Sequence, residues 1–119
     1  MSEDEHNSMK LPNVEFAVID EGKLKDYCLS PDHVIGKHKA KVFQNRLGII
    51  QKDAPFLKSL LIEKIRTTEC IETISSEYGR RFIVDVILVN FGKEALVRTS
   101  WIIKKKELVP RLTSCYIIE

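Results

Sequence analysis

The sequence predicts an α+β domain in which about three N-terminal helices pack on one face of a four-stranded antiparallel β-meander. Apolar residues recur at helical spacing before Arg66 and at alternating spacing after it. The switch happens once, so the helices are gathered ahead of the strands, the order expected when helices cover one side of a sheet. Tyr78-Gly79 and Phe91-Gly92 supply turns that join neighbouring strands into hairpins.

Each element has a local reason. Leu11-Pro12-Asn13 opens an extended segment. Asp20 is placed to cap a short helix over residues 21–28, with Leu24, Tyr27 and Cys28 turned inward, and Ser30-Pro31-Asp32 ends it. A second helix is expected from about Lys37 to Leu47. Ala40, Phe43 and Leu47 give it one apolar face, and Gly48 suits the residue just past its end. Asp53 reads as the cap of a third helix, with Pro55 tolerated in its first turn and an apolar stripe running from Phe56 to Ile65. Thr68 to Ser76 is rich in threonine and isoleucine and reads as the first strand. Phe82, Val84, Val86 and Leu88 share one face of the next. In the third strand Ala95, Val97, Thr99, Trp101 and Ile103 share one face, while Leu96, Arg98, Ser100 and Ile102 share the other. Lys104 to Lys106 ends that strand, and Pro110 leads the last one through Ile118.

A chain of 119 residues is long enough for one real core, and 44% hydrophobic residues is ordinary for a globular domain. No stretch approaches the roughly 20 apolar residues of a membrane span, so no membrane partner is expected. Residues 1–9 contain Glu3, Asp4 and Glu5 and no apolar run. They are unlike a signal peptide and are expected to form a disordered tail ahead of a single domain over 10–119. Cys28, Cys70 and Cys115 are widely and unevenly spaced, which argues against a disulfide framework or a zinc site and for a reducing, cytoplasmic setting. No cofactor is expected.

The net charge of +2 conceals an uneven distribution. Residues 36–66 hold eight Lys/Arg against Asp53 and Glu63, and residues 91–111 hold six against Glu94 and Glu107. A basic half attracts anions such as nucleic acid; the competing reading is that these lysines only solvate helix faces.

Two segments carry the most chemistry. Gly36 to Phe43 opens the second helix with Lys37, Lys39 and Lys41 around His38. At about 100° per residue His38 lies roughly 140° from Phe43, away from the core face, in a first turn whose backbone favours anions. Imidazole can exchange a proton near neutral pH. Thr99 and Trp101 leave one face of the third strand together, a hydroxyl beside an aromatic able to stack a base. The competing reading makes Trp101 a core residue and Thr99 a strand former. Arg98 and Ser100 point the other way unless a bulge re-aims them. Arg111 can bind phosphate through its guanidinium or pair with Asp85 or Glu107. His33, in a loop, is a further acid–base candidate. With no third clustered ligand, His33 and His38 are not expected to bind metal.

These residues also carry a resemblance. The L-P-N of residues 11–13, the G-x-H-K-A-x-x-F of 36–43, the L-G of 47–48, the R-x-S-W of 98–101 and the P-R-L of 110–112 resemble an uncharacterised bacterial domain family. Some of its members stand beside small partner genes or end larger toxin-like proteins. A weaker resemblance is to the RNase domain of colicin D and the wider barnase, EndoU, colicin and RelE-like group. Lys37-His38 is similar to its lysine–histidine pair, and Thr99 with Trp101 to its serine and tryptophan. These resemblances imply a toxin-like ribonuclease and, as partners, RNA (tRNA among its classes) and an antitoxin or immunity protein.

The expected reaction is therefore metal-independent attack of a ribose 2′-hydroxyl on the adjacent phosphorus. His38 is expected to move the proton, with Lys37 and Thr99 beside it, and Lys41, Trp101 and Arg111 are expected to bind the RNA. This requires His38 and Thr99 to face one another across a shared hollow. The alternative is a non-catalytic protein-interaction module, with Trp101 buried and His38 apart from it.

Overall fold

The structure is a computed structural model that describes residues 9–119. The tail expected over 1–9 lies outside the described residues except for Met9, which packs against the core and accepts a hydrogen bond from Cys70 N–H (2.7 Å).

A 3₁₀ turn over Val14–Phe16 leads to one α-helical turn, Glu21–Lys23, which runs on as a π-helical stretch, Leu24–Cys28; together they form α1. The Asp20 carboxylate accepts the Gly22 N–H (2.8 Å) at its start, as its sequence position suggested. Helix α2 spans Lys37–Leu47, and α3 spans Ala54–Ile65 after a 3₁₀ turn, Gln51–Asp53. Asp53 differs from expectation in one respect. Its carboxylate accepts the Ile50 N–H (2.9 Å) and so fastens the start of the 3₁₀ turn rather than α3.

Strands β1 (Ile71–Glu72), β2 (Gly79–Asn90), β3 (Lys93–Lys104) and β4 (Arg111–Ile117) form one antiparallel sheet in the order β1-β2-β3-β4. The helices do precede the strands, and the fold is α+β. The first strand is much shorter than the Thr68–Ser76 run suggested. Thr73 still bonds Arg81 O through its N–H (2.8 Å), but beyond it the chain turns toward the Ser76–Gly79 bridge.

Helices α2 and α3 cover the sheet face that carries Phe82, Val84, Val86, Leu88, Val97 and Trp101, all buried. One extra residue in β4, Thr113, has no partner on β3: Ser100 pairs with Ser114, yet Trp101 pairs with Leu112. This bulge lets Leu112 and Cys115 both face the core despite their odd spacing. It leaves Arg98 and Ser100 on the opposite face. Cys115 is buried beside Cys28, and a hydrogen bond between the two thiols followed by burial push the Cys115 thiol well up.

Two devices fix where α2 begins and ends. At the start, His33 Nδ1 accepts the N–H groups of Ile35 and Gly36 (3.0 Å each), and its ring meets Tyr27 edge-on at 4.8 Å. Gly36 presses against the Tyr27 carbonyl so closely that any side chain there would collide with backbone. At the end, Gly48 adopts φ 66° and its N–H returns to Gln44 O (3.0 Å), a left-handed stop that glycine makes without strain. His33 is thus a turn-forming residue, and its ring nitrogen is already engaged. Replacing it with alanine is expected to cost about 1 kcal/mol by freeing two backbone donors near the surface. Urea unfolding checks this: a midpoint unchanged by His33→Ala contradicts the assignment.

Candidate functional site

Helix α2 lies along the β3–β4 side of the sheet, so its outward face borders the sheet's edge. Lys37, His38 and Lys41 are all exposed there. They line an open cleft of about 680 Å³ together with Gln44 on the same helix and Gln51 and Lys52 on the following turn. Leu29, Pro31, Ala40 and Ile50 form its apolar walls. No acidic residue lines it among the described residues. Lysine side chains give it an attraction for anions, while at the helix start the N–H groups of Ile35, Gly36 and Lys37 are bonded to His33.

His38 also lines a second hollow of about 320 Å³, on the other side of the helix ridge, with Lys39, Val42, Tyr116, Ile117, Ile118 and Glu119. Strand β4 is the edge of the sheet. Val18 bridges to Arg111 at one end of that edge, while no strand covers the Tyr116 end among the described residues. Tyr116 belongs to the face opposite the core, and its ring meets Lys39 across this edge. The Lys39 ammonium sits 4.6 Å from the Tyr116 ring centre and 5.9 Å from that of Tyr27, held between two aromatic faces.

Arg98, paired with Tyr116 across the sheet, completes the cluster. Its guanidinium makes a forked ion pair with Asp85 (2.9 Å for both bonds). Asp85 first, and the Tyr116 phenol after it, hold the guanidinium above its ordinary pKa. Because the fork is occupied, Arg98 positions Tyr116 more than it offers free charge. The polar set at this edge is therefore imidazole, ammonium, phenol and guanidinium, with Glu119 the single acid among the described lining residues.

The sheet residues expected at the site are elsewhere. Thr99 and Trp101 are both wholly buried. Thr99 Oγ1 donates to Val84 O (2.6 Å) and accepts the Trp101 Nε1–H (2.8 Å), so both polar groups are consumed inside the core. Neither can meet a phosphate or a base, and the expected approach of Thr99 to His38 does not occur. The reason lies in the register. Thr99 stands between Val84 and Cys115, and Trp101 between Phe82 and Leu112, all under the helices. Arg111 donates to Glu107 (3.0 Å), the pairing weighed against phosphate binding above. It lies five positions before Tyr116 on β4, roughly 16 Å along a strand, and it borders neither hollow.

The structure thus gathers Lys37, His38 and Lys41, and adds Lys39 and Arg98, which the sequence pattern contained but gave no role here, and Lys52 and Tyr116, which it did not single out. Lys39 was visible in the lysine cluster. Tyr116 carried no local signal, because its meeting with Lys39 depends on how β4 lies beside α2. No group of three or more His, Cys, Asp or Glu among the described residues is arranged to hold a metal ion. No described helix is long and apolar enough to cross a membrane.

The family described as a domain of unknown function (DUF6883) matches residues 10–119, nearly the whole described chain. No curated protein and no solved structure matches it. The match extends from the Lys10 bridge to Glu69 through the last residue of the small hollow, so the helix–edge cluster lies wholly within it. The chain belongs to this family of domains of unknown function.

Proposed function

We propose that this domain is a metal-independent ribonuclease whose reaction site is the small hollow between α2 and the β4 edge. The observation that supports it is the convergence of His38, Lys39 and Tyr116 on one solvent-open hollow. The requirement drawn from the sequence was a proton carrier from the helical half facing a hydroxyl from the sheet half. Tyr116 supplies that hydroxyl in place of Thr99. It also supplies the second proton carrier that His38 needs.

The chemistry balances as follows. His38 takes the proton of a ribose 2′-hydroxyl as its oxygen attacks the adjacent phosphorus. The bond from phosphorus to the 5′-oxygen breaks, and that oxygen receives the Tyr116 proton. The products are a 2′,3′-cyclic phosphate and a 5′-hydroxyl, and water returns the proton from His38 to Tyr116. General acid–base catalysis of this kind contributes typically about 10²–10⁴-fold. Lys39 stabilises the charge gathering on the phosphate, while Lys37 and Lys41 hold flanking phosphates in the larger cleft. The resemblance to the colicin and barnase-like nucleases points to the same reaction class and to a toxin role with an antitoxin or immunity protein as partner.

A second reading has one observation in its favour. On the uncovered sheet face Ile87, Val89 and Leu96 are exposed beside one another, a surface suited to a protein partner. One experiment separates the readings. The purified chain is incubated with a single-stranded RNA and with the same sequence carrying 2′-deoxyribose throughout. The ribonuclease reading expects cyclic-phosphate ends from the RNA alone and none with His38→Ala. Binding without cutting leaves passive RNA recognition, and neither binding nor cutting favours the interaction module.

A further inference from the structure

We propose that the tip of the β2–β3 hairpin carries a base-stacking subsite that confines the RNA to single strands. The proposal rests on the RNA reading above and adds the substrate class and a second place of contact.

A third hollow, of about 430 Å³, opens beyond the C-terminus of α2 and is lined by Gly48, Ile50, Lys52, Phe56 and Phe91, among others. It shares Ile50 and Lys52 with the large cleft. The large cleft in turn shares His38 with the reaction hollow. The three hollows therefore form one track around α2 that crosses the helix ridge at His38, and the helix's 11 residues extend about 16 Å. Lys37, Lys41 and Lys52 mark this track with positive charge, as a phosphate backbone requires.

Phe91 is the feature that the fold does not explain. It occupies the first turn position of the hairpin with φ 53°, in the left-handed region where asparagine or glycine sits most easily. It is 81% exposed, so core burial does not offset that backbone choice. Yet it is held firmly. The neighbouring Asn90 side chain donates to Leu47 O (2.8 Å), tying the hairpin to the end of α2, and the Phe91 ring rests against Gly48. Phe56, 44% exposed on α3, borders the same hollow. Two solvent-open aromatic rings beside a lysine, with Phe91 set by the tied hairpin, make a platform for an unpaired base. Asp53 also borders this hollow, with one carboxylate oxygen bound to Ile50 N–H. An acid there disfavours phosphate and leaves the base as the suited occupant. A duplex keeps its bases stacked inside and cannot offer them to the rings.

The test measures binding of a labelled, fully 2′-deoxy single strand, which resists cutting, by fluorescence anisotropy with the full chain. A duplex of the same sequence is the comparison. Phe91→Asn suits the turn better than phenylalanine, so folding is not at issue. The expected result is a single-strand affinity about tenfold weaker in Phe91→Asn, restored by Phe91→Trp, with the weaker duplex binding unchanged. Equal single-strand affinity in wild type, Phe91→Asn and Phe56→Ala overturns the subsite while leaving the RNA reading intact. Duplex bound as tightly as single strand also overturns it. Absence of all binding by the wild type overturns both the subsite and the reading beneath it.

Discussion

Trp101→Ala is expected to remove about 3–5 kcal/mol of stability, a large part of the roughly 5–15 kcal/mol that holds a domain of this kind together. Trp101 is the largest wholly buried side chain. Truncating it leaves a cavity where α2, α3 and three strands meet, and the Thr99 hydroxyl, still donating to Val84 O, loses the indole donor it accepts from. Thr99→Val probes the polar part alone. The methyl group keeps the shape but offers nothing to the indole N–H, and a buried donor without a partner costs about 1–3 kcal/mol. Urea unfolding followed by circular dichroism measures both. The functional consequence is the sharper one: Thr99→Val should cut RNA at the wild-type rate per folded molecule, because its hydroxyl is used inside the core. A folded Thr99→Val protein that has lost cutting contradicts this placement.

The sequence made the architecture legible because periodicity is a local property. The alternation in β2 and β3, the Asp20 cap, the Gly48 stop and the Phe91-Gly92 turn all appear where residue type alone placed them, while the turn read at Tyr78-Gly79 falls one residue earlier and Gly79 opens β2. The site was legible only in its helical half. His38, Lys37 and Lys41 share a helix, so their common exposure follows from spacing. The sheet half failed for a physical reason. Each middle strand carries apolar residues on both faces, so spacing correctly put Thr99 and Trp101 on one side without saying which side the helices would cover. Tyr116 reaches Lys39 only because β4 is an open edge beside α2, a fact of tertiary packing. His33 looked like a proton carrier, and the fold uses it to begin a helix.

Tyr116→Phe is expected to slow RNA cutting by about 10²-fold or more while the domain stays folded. The substitution removes one oxygen from a half-buried ring and keeps the aromatic face on which the Lys39 ammonium rests. Any loss therefore belongs to the hydroxyl. RNA binding should be nearly unchanged, since Lys37, Lys41 and Lys52 remain, so the effect falls on the rate of the bound complex. A lysine-only electrostatic site would show the reverse, with weaker binding and little change in the rate at saturation.

In the proposed reaction His38 and Tyr116 act on the same phosphate. The most direct test of this is the single-turnover cutting rate of a short single-stranded RNA by wild type, His38→Ala, Tyr116→Phe and the double variant. Two groups that serve one step do not add. The double variant should therefore be about as slow as the slower single, each at least about 10²-fold below wild type. Cutting that is equally fast in all four proteins, or absent from the wild type, would contradict it.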